Sequence, residues 1–221
     1  MKKILLTTLA LAVVTGALAQ GTVVFNNNVA GSSSRVYLPD PLNPGVQTTG
    51  NTATQNPAGT TTYGGALISG SGYTAQLFAI PGGTLPGGPF TSYGVPVSDA
   101  FVGSTPTTTF RTGTAAGLVV AATATLPNVV PDAASAVLQM RVFPSSFGTW
   151  AAALVAFQAN AAGVYLGASQ PFVVNLIGGS VNTPPNITGV RSFSLVAAPE
   201  PSSFALAGMG LASLLIFRRR K

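Results

Sequence analysis

Short apolar runs alternate with polar positions along most of this chain, and turn-forming residues separate them. The clearest run is 136–143. Leu138, Met140 and Val142 fall on one side of it and Gln139 and Arg141 on the other, the period of two that a strand imposes. Residues 172–176 repeat the pattern, with Phe172, Val174 and Leu176 expected inward, and 192–196 place Phe193 and Leu195 inward. Residues 22–26, 35–38, 66–69, 73–80, 90–95, 101–102, 107–111 and 117–126 read as further strands between turn signals. Gly70, Ser71 and Gly72 are expected as the hairpin turn between 66–69 and 73–80. The run 81–89 holds a near-duplicated Pro-Gly-Gly. No helix follows it, so it reads as a turn and not as a phosphate cradle. Residues 39–65, rich in Pro, Gly, Asn and Thr, read as a long surface loop or pair of loops with room for an edge strand. A connection of that length is commonly mobile or binds something.

One stretch breaks the rhythm. Residues 149–160, TWAAALVAFQAN, are rich in the best helix former, and Thr149 is placed to cap them. Trp150, Leu154 and Phe157 recur at i, i+4 and i+7, one helical face. A helix of about three turns follows, closing at 161–163, with its stripe packed over one open end or edge of the sheets. The fold class is therefore all-β: an antiparallel sandwich or barrel-like body with one short helix. Alternating faces favour sheets with one wet face, here carrying Thr, Ser, Asn and Gln. So few charges leave edge strands poorly protected against pairing with another chain.

The two ends follow different rules. Lys2 and Lys3 precede the apolar run 4–14, and Ala17 and Ala19 supply the small residues that a signal peptidase requires. This is a secretory signal peptide with cleavage expected before Gln20. At the other end, Pro199, Glu200 and Pro201 precede the uncharged run 202–217, SSFALAGMGLASLLIF, and Arg218, Arg219, Arg220 and Lys221 close the chain. As a helix that run is roughly 24 Å long, against a hydrocarbon core of about 30 Å. It is a transmembrane helix, short for a permanent anchor, and the terminal cations can reach back to the headgroups. They also hold that end in the cytoplasm. Pro201 suits the first turn of a helix, Pro199 keeps Ala198 extended, and Glu200 sits at the positive end of the helix dipole. The organisation is then a signal peptide over 1–19, an exported β-rich domain over 20–198 and a tail over 199–221.

The tail resembles the PEP-CTERM sorting domain of diderm bacteria, with all three parts present: Pro199, Glu200 and Pro201, the apolar run, and the basic end. The resemblance implies recognition by an exosortase, an integral-membrane cysteine protease or transpeptidase. It further implies removal of the tail, then release or attachment at the cell surface, often alongside exopolysaccharide. The expected partners are the Sec translocon, signal peptidase, the exosortase and the membrane as a transient or permanent anchor.

Charge adds little once it is placed. The net charge is +6, but six of the ten Lys and Arg lie in the two targeting ends. Between residues 20 and 198, Arg35, Arg111, Arg141 and Arg191 face Asp40, Asp99 and Asp132, which leaves one positive charge. That is no basic patch for nucleic acid and no basic amphipathic helix for a membrane surface. The absence of cysteine closes the lipoprotein route, disulfides, thiol catalysis and thiolate metal sites. A domain of about 180 residues can bury a core without them.

The body has no His, Cys, Lys or Glu. Asp40, Asp99 and Asp132 each read as turn-formers, and no spacing suggests an acid pair for glycoside hydrolysis. Serine has no histidine base and no nucleophile elbow, and no carboxylates cluster for calcium. No catalytic residue, cofactor or metal is expected. Tyr37, Tyr63, Tyr73, Tyr93, Tyr165 and Trp150 could stack on sugar rings where exposed, although most are expected in or over the core. Tyr63, in the Gly/Thr-rich loop, is the first to examine. The expectation is an exported, non-enzymatic surface or extracellular-matrix protein. The alternatives are a carbohydrate (exopolysaccharide)-binding module, or a self-associating matrix or pilin-like structural component.

Overall fold

The computed structural model describes residues 20–85 and 100–198. Its elements are, in order, β1 (Gly21–Phe25), β2 (Asn28–Val29), β3 (Ser32–Ser33), β4 (Val36–Tyr37), β5 (Tyr73–Pro81), β6 (Val102–Gly103), β7 (Thr108–Thr109), β8 (Ala122–Leu126), β9 (Ser135–Pro144), helix α1 (Trp150–Gln158), β10 (Tyr165–Ala168), β11 (Phe172–Asn175), β12 (Phe193–Ser194) and β13 (Val196–Ala197).

β9 is the axis of the main sheet. It pairs antiparallel with β5 over its whole length, from Pro144 opposite Tyr73 to Ala136 opposite Pro81. Two short strands share its other edge. β10 takes Val142 and Arg141, and β11 takes Leu138 to Ser135. Pro171 has no N–H for a ladder, which breaks that strand in two. Ser169 bridges the gap: its N–H donates to the Met140 carbonyl at 2.8 Å, and its hydroxyl accepts from the Met140 N–H at 3.0 Å. The outer edge of β5 is divided likewise between β6 and β7. β13 extends the sheet beyond β10.

One face of this sheet packs Ala75, Leu77, Leu138, Met140, Val142 and Val174 against a second layer. That layer holds the antiparallel pair β1–β8, which contributes Val23, Phe25, Ala124 and Leu126, and the pair β4–β12, which contributes Val36 and Phe193. β4 and β12 run parallel, an exception to the antiparallel expectation. Slanted bonds of the parallel kind close the pair, Phe193 N–H to the Arg35 carbonyl and Leu195 N–H to the Tyr37 carbonyl. The sheets are open, with no closed barrel among the described residues.

The other face is covered too. Phe78, Phe143, Leu166 and Val196 pack against Trp150, Ala153 and Phe157 of α1. Gln139 and Arg141 do point away from Leu138, Met140 and Val142, but into this second apolar layer, and they are only 1 % and 3 % exposed. The expected wet face is thus buried, and α1 lies across it, not over an end or edge. Laying Trp150 and Phe157 on a face already lined by phenylalanines removes more apolar surface from water than an edge contact would. The helix begins as expected, with the Thr149 hydroxyl accepting from the Ala152 N–H at 3.2 Å. Ala153 takes the third buried place on its stripe, and Leu154 is half-buried beside it.

Several expected strands are shorter or differ. Residues 66–69 form no strand and touch β4 by one bridge, Tyr37 to Leu67, and Gly70–Gly72 is a single 3-10 turn. Only Ala122–Leu126 of 117–126 is a strand, although Leu118 and Val119 are buried beside it. Leu176 is 65 % exposed, because the chain leaves β11 with φ +53 there and Ile177 turns inward in its place. β10 and the pair β2–β3 stand where no strand was expected. The expected strand 90–95 lies outside the described residues. The edges are also better covered than the charge content suggested. The Ala197 N–H donates to the Pro44 carbonyl, Thr22 exchanges bonds with Gly178, and Thr125 exchanges them with Thr105.

Candidate functional site

The long loop 38–69 is an ordered structure built on buried amides. Asn51 and Gln55 are both buried. The Asn51 side chain donates to the Pro57 carbonyl at 2.8 Å and accepts from the Ser192 N–H at 3.1 Å. Gln55 Oε1 accepts from the Ser192 hydroxyl at 2.7 Å and from the Thr52 N–H at 2.8 Å. Backbone bonds from Gly59 to Thr52 and from Thr61 to Asn51 close the loop on itself. Buried amides satisfied in this way fix a conformation, since each unmade bond would carry a desolvation penalty.

This scaffold brings together Tyr37 of β4 and Tyr63 of the loop. Their rings stack face to face, centroids 3.9 Å apart and planes 3° from parallel. The Tyr63 hydroxyl donates to the Gly50 carbonyl at 2.6 Å, and the Tyr37 hydroxyl accepts from Gln55 Nε2 at 3.3 Å. Burial pushes both phenols above their ordinary range, and the neighbouring Tyr37 adds to the rise at Tyr63. The pair belongs to neither apolar core. It lines a cleft of about 400 Å³ together with Thr52, Ala53, Thr54, Thr60, Thr61 and Thr62. Among the described residues no charged side chain lines this cleft. Thr54, Thr60 and Thr62 are exposed at it.

The other aromatic candidates lie elsewhere. Tyr73 and Tyr165 pack half-buried on the main core, Trp150 is inside the helix layer, and Tyr93 lies outside the described residues. The aspartates serve turns. Asp40 accepts from the Leu42 N–H at 2.9 Å. Asp132, at φ +57, reaches a distant turn, accepting from the N–H groups of Ser180, Val181 and Asn182 and from the Ser180 hydroxyl. The Asn182 N–H is the main reason its carboxyl stays below the ordinary value; Ser180 and Val181 add to this, and some desolvation opposes it. Asp99 lies outside the described residues. Among the described residues no three His, Cys, Asp or Glu side chains gather at one place. The pairing of Tyr37 with Tyr63 and the threonine rim were not legible in the sequence, although the composition of 39–65 and the position of Tyr63 pointed to this loop.

The expected targeting residues bracket the described residues in sequence. Ala17 and Ala19 lie outside the described residues. Gln20 is half-buried, and β1 begins at the next residue, where the Gly21 N–H donates to the Val129 carbonyl at 2.8 Å. At the other end β13 is held from both sides, by β10 and by the Pro44 carbonyl, and the Ala198 N–H reaches the Val164 carbonyl at 3.3 Å. Pro199, Glu200, Pro201, the apolar run and Arg218, Arg219, Arg220 and Lys221 lie outside the described residues. Among the described residues no helix is long and apolar enough to cross a membrane.

No curated protein and no solved structure matches the chain. Residues 197–221 match the family model of the PEP-CTERM protein-sorting motif. The match starts on the last residue of β13 and runs through Pro199, Glu200, Pro201, the apolar run and the basic end. The motif implies recognition by an exosortase and is typical of exported proteins held at the membrane before processing. The chain is a protein with a PEP-CTERM sorting motif, carried in residues 197–221 from the last residue of β13, the final described strand of a β-rich body.

Proposed function

We propose that this chain is an exported, non-enzymatic protein of the cell surface or extracellular matrix. The Sec translocon exports it, and an exosortase processes it through its tail. The observation that carries the reading is the sorting motif at 197–221, which starts on the last residue of β13. The run 202–217 threads the membrane, and Arg218, Arg219, Arg220 and Lys221 keep their end in the cytoplasm. A signal-peptidase cut after Ala19 supports the reading in one respect, since a mature chain beginning at Gln20 keeps all of β1. The non-enzymatic part rests on a body without His, Cys, Lys or Glu, in which Asp40 and Asp132 are engaged by backbone N–H groups.

The test replaces Pro199, Glu200 and Pro201 by alanine in the native cell and reads the intact mass of the protein. The wild-type chain is expected to begin at Gln20 and to have lost its basic end. The variant is expected to keep Lys221 and to remain with the membrane fraction. Equal C-terminal processing of both chains would overturn the reading.

A further inference from the structure

The cleft beside Tyr37 and Tyr63 is lined by residues outside the sorting motif. The loop that shapes it carries a cluster of buried polar side chains. Asn51, Gln55 and Ser192 are all buried and bonded to one another or to loop backbone. The result is a pre-ordered wall, and ordering a wall before binding lowers the entropy lost on binding. The chemistry of that wall is specific. Two parallel aromatic rings stand outside both apolar cores. Five threonines line the space beside them, and Thr60 and Thr62 make no side-chain hydrogen bond among the described residues. The Tyr37 hydroxyl accepts from Gln55 and has the Thr52 side chain beside it, so it joins the rings to the threonine rim.

A ligand for this wall must offer an apolar face to an aromatic plate and hydroxyls to a threonine rim. It must also be uncharged, because among the described residues no cation or anion lines the cleft to offset the desolvation of a charge. A phosphate, a nucleotide and a polyuronate are all charged and fail the last demand. A pyranose ring meets all three, with C–H groups on its faces and hydroxyls around its edge. About 400 Å³ falls in the lower part of the range of small-ligand sites. We propose that the cleft formed by Tyr37, Tyr63, Thr52, Thr54, Thr60 and Thr62 is a binding site for a short segment of a neutral polysaccharide. This goes beyond the sorting role and does not depend on it, because the cleft belongs to the body and the motif to the tail.

The test is affinity electrophoresis of the purified full-length chain, kept in a polyoxyethylene detergent because a sugar headgroup would compete. The gels contain dextran, mannan, xylan, galactan or soluble β-glucan, with alginate as the charged control. At least one neutral polymer is expected to retard the chain, and alginate is not. Tyr63→Ala is expected to weaken retardation at least about tenfold. Thr54→Glu, at the exposed rim, is expected to do the same with an unchanged melting temperature, and it decides the matter if Tyr63→Ala does not fold. Retardation by none of the neutral polymers, by alginate alone, or to an equal extent with Thr54→Glu would overturn the proposal. Tail processing in cells is read separately, so neither result decides the other.

Discussion

The guanidinium carbon of Arg141 stands 4.1 Å from the centroid of the Phe78 ring, and the Trp150 ring lies 5.3 Å away. Its Nε–H donates to Gln139 Oε1 at 2.8 Å. The sequence alternation at 136–143 thus ends in a cation held between aromatic rings, beneath a helix. A planar guanidinium can stack and donate in this way, and an ammonium cannot. Arg141→Lys is therefore expected to lower stability by about 2 kcal/mol, through lost stacking and an unmet Gln139 acceptor. Arg141→Met keeps the aliphatic stem and is expected to be no worse than lysine. Urea midpoints measure both. A lysine variant as stable as wild type would show that charge alone, not the planar group, matters here.

Asp132 supplies a pH dependence of known sign. Its folded carboxyl sits below the ordinary 3.8, because backbone N–H groups of the 180–182 turn bind the ionised form. A depressed folded pKa contributes stability above the unfolded value, and that contribution is lost as pH falls through the folded one. Melting temperature is expected to fall more steeply below about pH 4 in wild type than in Asp132→Asn. Asparagine also tolerates the φ of +57, so the comparison isolates charge from backbone conformation. Parallel curves for the two proteins would remove the carboxylate from the account.

These two sites show how far the sequence could be read. Alternation at 136–143 located β9 and correctly set Gln139 and Arg141 opposite Leu138. A period of two states which side chains point apart, and is silent about what lies beyond either face. The helix was legible from Thr149, Trp150 and Phe157, because capping and stripe are local. Its resting place was not, because Phe78 and Phe143 are brought beneath it by strand pairing across the chain. β10 was missed because Gly167 weakens the strand signal of YLGA. A Cβ there would lie 2.6 Å from Leu195 Cδ2, so close packing requires glycine where propensity disfavours it. At the candidate site, the threonines and Tyr63 are visible in the composition of 39–65. Tyr37 joins them only because Gln55 and Asn51 fold the loop back onto Ser192.

The shift at Tyr73 runs the other way from that at Asp132, because burial dominates it. Its phenol is pushed up to about 12, by desolvation first and by the nearby Tyr165 second. A raised folded pKa means that the neutral form is the one the fold favours. The associated stability is complete below the ordinary 10.0 and is lost as pH rises toward about 12. The tyrosinate absorbance of wild type minus that of Tyr73→Phe is expected to titrate near 12. Tyr73→Phe is also expected to flatten the alkaline fall in melting temperature. A difference curve centred near 10 would mean that Tyr73 is solvated like a free phenol.

The first residue of β1 carries the last prediction. Gly21 opens β1 opposite Leu126, and a Cβ built on it would lie 2.6 Å from Ile177 Cγ2 and 3.1 Å from the Val130 carbonyl. Ile177 is fully buried, and the Val130 carbonyl is backbone, so neither can yield cheaply. Gly21→Val is expected to cost about 2 kcal/mol, in the range for overpacking a well-filled core. Gln20→Ala, one residue earlier and half-buried, is expected to change stability by less than about 0.5 kcal/mol. The contrast shows how abruptly the packing begins among the described residues: Gln20 is half-buried, and Gly21 is already committed to the core. Urea denaturation of the two variants reads it directly. Equal stability of Gly21→Val and Gln20→Ala would mean that β1 begins further along the chain, with slack between the expected cut and the first strand.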